Sequence, residues 1–197
     1  MARFPKGYEW LGNQGTLPRV IENALQLVGV QEIVGKGSNK TIIAWRDYCN
    51  QNGVPISGYS DDDIPWCGLF VAYICVLSGK GAVKDPLWAR NWAKYGTPVA
   101  ERRGAQLVLL GGNVPSLGDI MVYERPGGGG HVEFYIAESK TNYIGLGGNK
   151  SNRVMIGPIA KARCIAVRRP PFKNALPASV QPYLITGSGG PLTTNEH

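Results

Sequence analysis

The hydrophobic period of this chain changes near Gly118, and no other feature constrains the fold as strongly. Upstream, apolar residues recur at helical spacing; downstream they alternate. GDIMVYE, HVEFYIAE, NYIGLGG, RVMIG and CIAVRR read as five short strands divided by Gly, Pro and Asn. Residues 18–28 predict a helix with Val20, Ala24, Leu27 and Val28 on one face, Pro18 at its start and Gly29 past its end. Asn39 or Lys40 to Asn50 predicts a second helix, with Ile42, Ile43, Trp45 and Cys49 apolar. A third ends at Gly79, and a short fourth covers residues 86–95. Residues 97–116 are mixed, with QLVLL as a strand candidate. Helices first and strands second imply an α+β domain on an antiparallel sheet.

The length of 197 residues and hydrophobic content of 43% suit one globular domain with a proper core. The domain is expected over residues 17–170, after an arm over 1–16 anchored by Phe4, Tyr8 and Trp10. Residues 171–197 read as an extended tail without a core of their own. The net charge of +7 predicts attraction to polyanions. The positive charges are scattered, and no reading helix or stacking sheet selects nucleic acid as a partner. LGGNKS lacks the spacing of a phosphate loop. No run approaches a membrane span, so stable membrane insertion is not expected. The N-terminal stretch MARFPKGYEWLG lacks the apolar core of a signal peptide. A monomer made in the cytoplasm is expected; for work elsewhere, another system must carry it.

The third helix contains the candidate chemistry. DDDIPWCGLFVAYICVLS sets three carboxylates and Pro65 ahead of Trp66 and Cys67. Pro65 suits a first helical turn, and Asp61, Asp62 and Asp63 could cap it. Cys67 then falls at the positive end of the helix, where free N–H groups favour a thiolate. A plain core cysteine is the ordinary alternative. Cys67 and Cys75 lie eight residues apart. On one helix that is about 12 Å, too far for a disulfide. With no CxxC pair, a zinc site has little support, and no metal or organic cofactor is expected. Apart from the terminal His197, His131 is the only histidine, and it follows PGGGG. A cysteine nucleophile needs such a base, and the base needs an orienting group. Asn149 in LGGNKSN and Glu133, two residues past His131, are the two candidates.

The series PWCGLFVAY, GDIMVYER, GGHVEFYIAE and LGGNKSNRV, closing on IAVRRP, resembles the NlpC/P60 and CHAP superfamily of papain-like cysteine peptidases and amidases. The closest pattern is a phage and prophage subgroup with WCaaF, GHVgf and GGNq blocks. The resemblance implies a papain-like fold, with the nucleophile at a helix start packed on a five- to six-stranded antiparallel sheet. It implies hydrolysis of bacterial peptidoglycan, with Cys67 as nucleophile, His131 as base and Asn149 as third member. Trp66, Tyr59 and Asp63 are the nearest candidates to line the cleft. Three positions depart from the pattern: Gly68 replaces a usual Ala, Glu133 a small residue, and Lys150 a Gln. A non-catalytic wall-binding module on the same fold is the competing reading. The intact Cys67, His131 and Asn149 set argues against it.

Overall fold

The computed structural model describes residues 4–185. His197 and the last part of the expected tail lie outside the described residues, as do the first residues of the arm. Three α-helices precede the sheet: α1 (Arg19–Leu25), α2 (Lys40–Gln51) and α3 (Cys67–Leu77). α1 is shorter than its apolar pattern, because residues past Leu25 turn toward the sheet and Gly29 N–H donates to Val154 O. α2 starts as its sequence implies, with the Asn39 side chain accepting from Thr41 N–H.

All five alternating segments are strands. They are β3 (Ile120–Glu124), β4 (Gly130–Glu138), β5 (Asn142–Lys150), β6 (Arg153–Ala160) and β7 (Cys164–Arg169). β1 (Thr97–Arg103) and β2 (Gln106–Leu109) add a hairpin, giving seven strands in the order β2-β1-β7-β3-β4-β5-β6. Every pairing between neighbours is antiparallel. The fold is therefore α+β, with helices first and an antiparallel sheet second. The strand count exceeds the five to six expected, because β1 carries charge and exposed ends at the sheet's margin and lacks clean alternation.

The pleat divides the sheet's residues between two clusters. Ile120, Val122, Val132, Phe134 and Ile136 face the helices and meet Phe70 and Leu69 of α3. Met121, Tyr123, Tyr135, Tyr143 and Val167 form a second cluster. α3 is covered on nearly every side, from Cys67 through Cys75, rather than along one stripe. Such a helix is a fixed platform, and the site uses its first turn. Residues 171–185 come back to the domain: Leu117 N–H donates to Gln181 O, Glu138 N–H to Tyr183 O, and the Trp10 and Tyr183 rings sit 4.9 Å apart. No helix of the described residues is long and apolar enough to cross a membrane.

Candidate active site

Cys67 is the first residue of α3, with Trp66 as the N-cap. Its backbone N–H therefore belongs to the unpaired set at the helix start. The capping expected from the acidic run does not occur, and no side chain caps α3. Asp62 Oδ2 instead accepts from Ile33 N–H at 3.0 Å and Asn39 N–H at 2.7 Å, tying the loop before α2 to the loop before α3. Asp61 Oδ1 accepts from Asp63 N–H. The reason is distance along the chain: Ile64, Pro65 and Trp66 intervene, and Pro65 precedes the helix rather than opening it. Among the described residues, these three aspartates are the one carboxylate group gathered closely enough, within 4.8 Å, to consider for a cation.

His131 is the second residue of β4, directly opposite Tyr123 of β3. Burial pushes the Cys67 thiol up, but the neighbouring His131 ring, the Arg125 charge and the Val132 N–H outweigh that and hold it below the usual thiol range. Burial pushes Cys49, Cys75 and Cys164 each up to about 12; Tyr95 and Lys80 beside Cys75, and Ala166 and Arg102 beside Cys164, do not offset it. All four cysteines are free. One thiol is thus set apart from the other three by its surroundings. Iodoacetamide at neutral pH should alkylate Cys67 in the native protein and leave the other three unmodified, which peptide mass mapping will check. Equal labelling of Cys75 would contradict the assignment.

The group beside His131 is Glu133. Its Oε2 lies 3.5 Å from His131 Nε2. The same oxygen accepts from Lys150 Nζ at 2.5 Å, and Oε1 accepts from Tyr123 OH at 3.0 Å. Lys150 Nζ also donates to Gly145 O at 3.1 Å and Gly157 O at 2.9 Å, so all three of its donors are used. His131, Glu133 and Lys150 are each fully buried. Burial pushes the Glu133 carboxyl up, but Lys150 first and His131 second draw it below the usual range. Burial and the facing Glu133 carboxylate keep the Tyr123 phenol well above its usual range, so it remains a donor.

The hydrogen bond expected between Asn149 and His131 is absent: Asn149 Oδ1 is buried without a hydrogen-bond partner. The Phe134–Leu146 register, extended by three residues, would set Asn149 opposite His131. Instead Asn149 takes a left-handed φ of 55°, where the β5–β6 register slips between Gly147 and Lys150. Glu133 occupies the space that β5 leaves open. A Cβ at Gly145 would collide with the Glu133 carboxylate, and one at Gly147 would lie 2.8 Å from Glu133 Cβ and 3.2 Å from His131 Nε2. The signal for this was present in the sequence: glycines at alternate positions of GLGG, opposite a strand bearing Glu.

The residues expected to line a cleft are placed differently from one another. Trp66 is fully buried, with its indole N–H donating to Glu32 Oε2 at 2.8 Å and its ring 5.9 Å from that of Trp45. Tyr59 is 3% exposed, whereas Asp63 is exposed. Gly68 is not a neutral replacement for Ala, because a Cβ there would strike the Pro86 carbonyl oxygen. The segment after Pro86 crosses the first turn of α3 at that point. It then reaches Gly130, where a Cβ would meet Ala89 and Arg90 side chains. Trp88, 69% exposed, stands on this bridge between the neighbours of Cys67 and His131. Helical spacing alone does not distinguish it from the buried Trp92. A cavity of about 460 Å³ lies elsewhere, between Arg19, Lys80 and Phe172, and contains none of these residues.

No family model matches the chain. No curated protein matches it. Among solved structures it is similar to an NlpC/P60 family protein from Bacillus cereus ATCC 10987, at 16% identity and a TM-score of 0.41. That alignment covers 77% of this chain and 39% of the other, so the chain spans less than half of that protein's length.

Proposed function

We propose that the protein is a cysteine peptidase or amidase that cleaves an amide bond in the stem peptide of bacterial peptidoglycan. One observation carries the reading: Cys67 opens a buried helix, and His131 beside it helps to hold its thiol below the usual range. The motif series described above supplies the substrate class, and with it a lytic role of the phage-endolysin type. Residues 17–170 are the proposed catalytic unit.

In this mechanism Cys67 Sγ attacks the amide carbonyl carbon. A C–S bond forms, and the carbonyl electron pair moves to oxygen, which the Cys67 backbone N–H is placed to receive. The tetrahedral species collapses, the C–N bond breaks, and His131 passes a proton to the leaving amine. Water then attacks the thioester, His131 takes its proton, and the C–S bond breaks to release a carboxylate. Glu133 orients the ring throughout, in the place expected of Asn149, because its carboxylate is the group beside Nε2. Digestion of purified wall sacculi, with mass analysis of the new termini, tests the reading and separates amidase from endopeptidase.

The net charge of +7 implies attraction to an anionic wall. Activity on whole sacculi should fall with added salt more steeply than activity on a small soluble stem peptide, because screening acts on long-range attraction first. Equal salt dependence for both substrates would count against wall attraction.

A further inference from the structure

We propose that Lys150 is a positioning residue: it neutralises Glu133, so His131 is oriented by a partner of zero net charge. The proposal rests on Cys67 and His131 forming the reactive pair. A carboxylate alone beside an imidazole would both orient it and hold it protonated. Here the same oxygen that faces His131 Nε2 at 3.5 Å takes the Lys150 ammonium at 2.5 Å. The ammonium has no freedom to leave, because Gly145 O and Gly157 O hold its other donors. Nor can the carboxylate turn away, because Tyr123 OH fixes Oε1 and β5 closes over it at Gly145 and Gly147. The other titratable groups near the ring and its partner are Cys67 of α3, Arg125 after β3, Cys164 of β7 and Tyr8 of the N-terminal arm. Among the groups that contact Glu133 itself, Lys150 is the cation that is fully buried. The pair thus gives the orientation an Asn would give, built from two charges.

The test is the pH dependence of Cys67 alkylation by iodoacetamide in the full chain, read on the Cys67 peptide by mass spectrometry. It needs no wall substrate. In a coupled thiol–imidazole pair the rate rises in two steps, the upper one as the ring loses its proton. Lys150→Met leaves the carboxylate unneutralised and should move the upper step to higher pH by about one unit or more. Glu133→Gln leaves the ammonium uncompensated and should move it to lower pH by about as much. The double variant restores a neutral partner and should return the step to within about half a unit of wild type. Lost packing alone would not drive the two single variants in opposite directions. Single variants that shift the same way, or not at all, would overturn the proposal, as would a double variant displaced beyond that half unit. If a single variant fails to fold, the double variant, which leaves no buried charge at the pair, decides by the same limit. The expected opposite shifts together with intact sacculi would count against the hydrolase reading and leave this one standing.

Discussion

Cys67→Ser is expected to lose activity on sacculi by roughly four orders of magnitude or more, with the fold retained. The serine hydroxyl fits the space of the thiol at the first position of α3, so little packing changes. What is lost is the ionisable thiol. His131, Arg125 and the Val132 N–H draw a thiol below its usual range; an alcohol starts far above that range. Circular dichroism and the urea midpoint should match wild type, and the loss should lie in kcat. A Cys67→Ser protein that clears sacculi at the wild-type rate would end the nucleophile assignment.

Glu133→Gln is expected to lower turnover on a soluble stem peptide by roughly one to two orders of magnitude, whereas Asn149→Gly should leave it within about threefold. The glutamine keeps an acceptor near His131 Nε2, but it no longer pairs with Lys150, and removing one member of a buried ion pair costs about 3–5 kcal/mol of stability. A lower urea midpoint is therefore expected alongside slower turnover. Asn149 makes no hydrogen bond through Oδ1, and glycine accepts its left-handed φ of 55°, so that change tests the side chain alone. A dead Asn149→Gly with an active Glu133→Gln would return the orienting role to Asn149.

The Glu133 carboxyl is drawn below its usual value of 4.5, mainly by Lys150. Its contribution to stability is full above about pH 4.5 and is lost as pH falls through the lower folded value. Acid unfolding should therefore move to higher pH in Glu133→Gln than the net charge alone would place it.

The strands after Gly118 were legible because they alternate between a helix-covered face and a second apolar cluster, and that pattern survives in sequence. β1 was not, because TPVAERR buries only its Val99 and Ala100 and pairs at the sheet's margin. The position of Cys67 at a helix start could be read from Pro65, Trp66 and the apolar run after them. The capping could not, because Asp62 serves a loop distant in sequence, at Ile33 and Asn39. His131 stood out by its scarcity. Its partner did not: the preference for Asn149 rests on the resemblance of the LGGNKSN block, whereas the left-handed turn at Asn149 and the buried Glu133 beside Nε2 depend on tertiary structure. Glu133 and Lys150 could be read as a charge pair near the site, but residue type did not show that both are fully buried, each supplying the other's counter-charge.

The central claim is thiol-dependent cleavage of a wall amide, and digestion of sacculi in isotopically heavy water tests it most directly. Wild-type protein should release fragments with a new amine on one side of a stem-peptide bond and a new carboxyl on the other. That carboxyl should carry one oxygen from the solvent, since water resolves the Cys67 thioester. Cys67→Ser should release none. Fragments that bear new sugar reducing ends with every peptide bond intact, or labelled carboxyls that persist in Cys67→Ser, would contradict the account.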